Sequence, residues 1–141
     1  MTMNSLRFRP LARQALINAV GVDAPSDRTI IEGFNTLSDQ LSAALQRLFG
    51  ANPTRALAER SRQLAEQDYA FLNAILKHDD GRLHAGVNGE SLPPDELLSA
   101  LSAVLAHELD LLTALLGEDF VLPLVNRAWL VNGPPPHRPS H

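Results

Sequence analysis

Leu112-Thr113-Ala114-Leu115-Leu116-Gly117 closes one leucine-rich helix on a glycine, and Asp119 follows two residues later. The arrangement occurs earlier as Leu45-Gln46-Arg47-Leu48-Phe49-Gly50, followed by Asn52 and Pro53. Glycine just past a helix end takes the left-handed backbone that closes the last turn, and Asn or Asp beyond it can cap the next helix. Two such junctions predict an all-α domain, and one reading of them is a pair of related helix-Gly-helix halves. Leu57 and Arg60 stand at the same offset from the first glycine as Leu124 and Arg127 from the second.

Working outward, Pro93 and Pro94 place proline in the first turn of the helix that ends at Leu116, where a missing N–H does no harm. Ser26 or Asp27 caps a long helix whose apolar positions Ile30, Phe34, Leu37, Leu41, Leu45 and Leu48 recur at the three-and-four spacing of one buried stripe. A third helix is expected from about Pro53 to Lys77, with Leu57, Leu64, Tyr69, Leu72, Ile75 and Leu76 inward. Residues 78–93 read as a polar loop or β-hairpin excursion, because Asp80-Gly81 and Asn88-Gly89 are tight-turn dipeptides. A last helix carries Leu124, Val125, Ala128 and Trp129 and stops at Asn132-Gly133. The expected architecture is a compact bundle of about five helices over residues 1–132, with a Pro-rich flexible tail at 133–141.

Composition agrees with helix. Of 141 residues, 45% are apolar and only 5% aromatic, and the apolar set is mostly Leu and Ala. A net charge of −4 gives no broad basic surface, so nucleic acid is not an expected partner. Without cysteine there are no disulfides, thiolate metal sites or thiol nucleophiles. No apolar run reaches the roughly 20 residues of a membrane span. The segment 1–20 contains Arg7, Arg9 and Arg13 and no acid, the composition of a transit peptide. It reads equally as an N-terminal helix from about Pro10 that packs Leu11, Ala15, Leu16 and Ala19 on the domain. With no secretory signal, the default location is cytoplasmic.

His107-Glu108 lies within Leu105-Ala106-His107-Glu108-Leu109-Asp110-Leu111-Leu112-Thr113. This resembles the phosphoacceptor box of bacterial sensor histidine kinases. The resemblance implies His107 as phosphoryl acceptor and Glu108 as the acid assisting it, in a phosphotransfer module of a signalling system. It covers about a dozen residues, is one residue short, and lacks the family's following proline.

Another side of the same helix collects Ser99, Ser102, Ala103, Ala106, Asp110, Thr113 and Ala114. Such small side chains admit a second helix closely, so this strip, with Trp129, is the expected interface for a protein partner or a second copy. Asp68, beside the apolar stripe of its helix, is expected to pair with Arg60 or Arg62. His78, Asp79, Asp80 and His84 cluster without any metal spacing, so no metal and no cofactor is expected. Phosphate loops and nucleophile elbows are missing. The leading expectation is a non-catalytic helical interaction or dimerisation module. The alternatives are phosphotransfer through His107 and an apolar ligand pocket involving Phe34, Phe49, Tyr69 and Phe71.

Overall fold

Glycine ends both leucine-rich helices, but through a different backbone well from the one expected. The structure, a computed structural model, describes residues 3–21, 26–79, 82–86 and 93–130. Gly50 has φ 90° and ψ 172°, and Gly117 has φ 91° and ψ 151°. These values lie in the mirror-image extended region that only glycine enters cheaply. Each glycine N–H still closes the helix before it, bonding to Gln46 O at 2.9 Å and Thr113 O at 2.8 Å. The following helices begin at once, so Asn52 and Asp119 sit inside first turns rather than at caps.

Among the described residues six α-helices form, with one hairpin: α1 Met3–Val20, α2 Asp27–Phe49, α3 Ala51–Glu66, α4 Leu72–Ile75, β1 Leu76–Asp79, β2 Arg82–Ala85, α5 Pro94–Leu116 and α6 Glu118–Val125. A π-helical turn, Asn126–Leu130, follows α6. Ser26 caps α2 reciprocally with Thr29: Thr29 N–H donates to Ser26 Oγ, and Ser26 N–H donates to Thr29 Oγ1. The stripe Ile30, Phe34, Leu37, Leu41 and Leu45 is buried as its spacing requires, but Leu48 is not. The sites Asn88-Gly89 and Asp80-Gly81, and the expected tail at 133–141, lie outside the described residues.

Two boundaries differ from expectation. First, α1 starts at Met3 and runs through Pro10. Pro10 is exposed, so water can satisfy the carbonyl that lacks its N–H partner. The buried face of α1 is Phe8, Ala12, Ala15 and Leu16, while Ala19 is exposed. Second, the helix expected to reach Lys77 stops at Glu66. The N–H groups of Asp68 and Tyr69 both turn back to Ala65 O, and the chain passes through α4 into the hairpin. Asn35 of α2 fixes that hairpin. Its side-chain amide donates to Ala85 O at 3.0 Å and its carbonyl accepts from Ala85 N–H at 2.8 Å, as a neighbouring strand would. The buried face of α3 is Thr54, Ala58, Ser61 and Ala65, with Leu57 and Leu64 at its flanks.

The centre of the bundle is α5, and residues Ala100–Asp110 are all buried. Contrary to the sequence-based expectation, α5 is long and apolar enough to cross a membrane, yet 78% of its most apolar window is buried inside the fold. Helices α1 and α3 pack most extensively on it, and α1 also crosses α2. At that crossing a Cβ on Gly33 would lie 3.1 Å from Val20 Cγ2, so glycine is what lets the two helices approach. Trp129 closes the far side, its indole N–H donating to Leu37 O at 3.0 Å.

Candidate functional site

The strip expected to be an interface is inside the molecule. Ser102, Ala103, Ala106 and Asp110 are buried, Ser99 and Thr113 are half-buried, and only Ala114 is exposed. Small residues do admit a close helix here, but the helices are α1 and α3 of the same chain. Trp129, also expected at the interface, is 2% exposed and serves the core. The buried part of the strip is covered by the chain's own helices, and Ala114 at its end faces outward.

His107 and Glu108 are likewise enclosed. His107 is 7% exposed, and its Nδ1 has no hydrogen-bond partner. Burial lowers its pKa; Asp110 and Asp68 pull upward, and Arg9 adds to the lowering. The imidazole is therefore neutral near pH 7. Burial pushes the Glu108 carboxyl up to about 8, so it is a neutral acid there. A phosphoacceptor must present an imidazole nitrogen to a second protein, and an acid assisting it must be ionised. The burial of His107 and the uncharged state of Glu108 both count against that role. Asp68 is exposed, and Arg62 pairs instead with Glu59 and Glu66 of its own helix.

The aromatic residues considered for a pocket separate. Phe34 is fully buried core. Tyr69 and Phe71 make an edge-to-face pair at 6.3 Å, with Tyr69 also accepting from Arg9. Phe49 alone lines a substantial concavity.

That concavity is a groove of about 660 Å³ where the end of α2, the start of α3 and the end of α5 meet. Leu45, Phe49, Pro53, Ala56, Leu57 and Arg60 form one wall, and Leu111, Leu112, Ala114, Leu115 and Leu116 the other. Arg60 is the only charged residue in it. Both glycine stops help to make it, since each sends the chain away just where a helix end would have been covered. Leu115 is 74% exposed and Leu48 51%, with Phe49, Leu116, Phe120 and Leu122 between 36% and 42%. Of these, Phe49, Leu115 and Leu116 line the groove, and Leu48, Phe120 and Leu122 are exposed on α2 and α6; exposed apolar side chains gathered at a groove mark interaction sites.

Sequence reasoning missed this groove. Its signal was the excess of leucine around each glycine, more than one buried stripe can absorb: Leu48 beside Leu45, and Leu115 and Leu116 beside Leu112. Among the described residues no group of His, Asp and Glu side chains is placed to hold a metal ion. The chain matches no family model, no curated protein and no solved structure.

Proposed function

We propose that the chain is a non-catalytic helical interaction module that associates with a second copy of itself through the groove between α3 and the end of α5. The observation that carries this reading is the juxtaposition of a projecting Leu115 with a 660 Å³ apolar groove in one patch. A twofold interface uses the same patch on both copies, so it needs a knob and a hole side by side. Charge supports the same occupant. One wall carries Arg60, and the exposed Asp119 lies just beyond Gly117 at the start of α6. A twofold contact can set the basic wall of each copy against the acid of the other. An apolar groove with a charged residue in its wall and another close by in sequence has the apolar centre and polar rim of a protein interface.

Sedimentation equilibrium across a concentration series tests the reading. The expected result is a reversible monomer–dimer equilibrium that weakens in Arg60→Glu and recovers when Asp119→Arg is added. A monomer at every concentration, whether or not some other protein occupies the groove, refutes self-association.

A further inference from the structure

The seam between α1 and α5 holds a second concavity, of about 360 Å³, lined by Arg9, Pro10, Arg13, Ser99 and Ser102. Its chemistry is the reverse of the groove's. Arg9 and Arg13 are one turn apart on α1, and Ser99 and Ser102 one turn apart on α5, so each pair shares a helix face.

The donors can be accounted for one by one. Arg13 Nη1 donates to Ser99 Oγ at 3.2 Å. Arg9 Nη2 donates to Tyr69 Oη at 2.9 Å, with its guanidinium carbon 6.0 Å from the centre of that ring. These contacts orient both guanidiniums and use one N–H of the five that each carries. Neither arginine is ion-paired with a carboxylate among the described residues. Ser99 accepts from Arg13, which leaves its own O–H proton to donate. Ser102 is 2% exposed, and its Oγ has no hydrogen-bond partner at all. A buried hydroxyl left unsatisfied is destabilising, and a native fold rarely keeps one without a use. The lining thus offers two cationic forks and two hydroxyl protons, with no carboxylate in it.

We infer that this seam binds a phosphate group. Guanidinium forks match phosphate oxygens two at a time, and serine hydroxyls add neutral donors. The four donor groups come from two packed helices, which suits an anion whose oxygens point in several directions. Pro10 is exposed and both arginines are only half-buried, so the site opens to solvent. Inorganic phosphate and a phosphomonoester present the same oxygens to it.

The intact chain is titrated calorimetrically with inorganic phosphate and, separately, with phosphoserine. Chloride at matched ionic strength is the control, and the thermal midpoint is followed in parallel. Saturable binding that raises the midpoint with phosphate concentration is expected. Ser102→Ala separates a site from a structural role, because the two effects have opposite signs. Removing an unpartnered hydroxyl leaves the free protein at least as stable, while phosphate binding weakens roughly tenfold. Arg13→Gln weakens it further. Equal binding of phosphoserine assigns the site to a phosphomonoester, and binding of inorganic phosphate alone assigns it to the free ion. Lack of saturable binding of either ligand up to about 10 mM, or Ser102→Ala binding as tightly as the parent, overturns the inference. The groove plays no part in this test, so Leu115→Ala leaves the titration unchanged.

Discussion

Leu115→Ala separates the energetics of association from those of folding. Leu115 is 74% exposed, so the folded monomer draws little from it, and alanine is the better helix former. The substitution should change monomer stability by no more than about 0.5 kcal/mol. In a twofold interface the same side chain becomes buried on both copies. Losing three carbons at about 0.8 kcal/mol each, scaled to the exposed three quarters, removes about 1.8 kcal/mol per copy. Two copies make that about 3.5 kcal/mol, or roughly 300-fold in dissociation constant. A partner of any other kind would meet Leu115 once, and the loss would be nearer 20-fold. Sedimentation equilibrium on parent and variant measures the dimer constant, and a thermal melt at low concentration checks the monomer. A dimer constant unchanged within threefold removes Leu115 from the interface and refutes the reasoning. So does a monomer melt lowered by as much as the association.

Three further outcomes follow from the interior. The unfolded chain releases the Glu108 proton near 4.5, whereas the folded chain holds it to about 8. The stability linked to that proton is therefore complete below about 4.5 and is lost as pH rises to 8, a change on the order of a few kcal/mol. His107, with its lowered pKa, acts oppositely and costs stability as pH falls below the ordinary histidine range. Glu108→Gln should flatten the decline of the thermal midpoint between pH 6.5 and about 8.5, and parallel curves for parent and variant would defeat the argument. Asn35→Ala leaves the N–H and C=O of the buried Ala85 without their partner, at about 2 kcal/mol. Hydrogen exchange should show that loss at the hairpin, and unchanged protection of Ala85 would count against Asn35 as its anchor. Gly33→Val drives methyls into Val20 and Leu16 at the α1–α2 crossing and should cost about 1–3 kcal/mol in a urea melt. An equal or higher midpoint would show that α1 yields.

Local signals carried much of the fold. The α2 stripe, its Ser26 cap, the proline start of α5 and both glycine stops depend on spacing and backbone chemistry, which sequence displays directly. The end of α3 does not: nothing between Glu66 and Leu76 breaks a helix locally, and the turn there depends on Asn35, fifty residues before its partner. The α5 strip shows a different limit. Ser99, Ser102 and Asp110 imply that a helix approaches closely, but not whose helix it is. Their small size suggested a second molecule, whereas the helix that comes close is α1, whose Arg13 bonds to Ser99. The groove needs three helix ends at once, so no single segment could disclose it.

The position of α5 in the chain has a consequence for synthesis. The helix on which α1, α2 and α3 all pack is made after the three of them. Arg13 waits for Ser99, 86 positions on, and Leu37 waits for Trp129, 92 positions on. Such distant pairs cannot form before α5 exists, and until it does the apolar faces that it covers stay open to aggregation. Until α5 is made, the nascent chain carries α1, α2 and α3 without their common partner. Arrested chains ending before Pro94 should remain protease-sensitive, and protection should appear in one step once α5 has emerged.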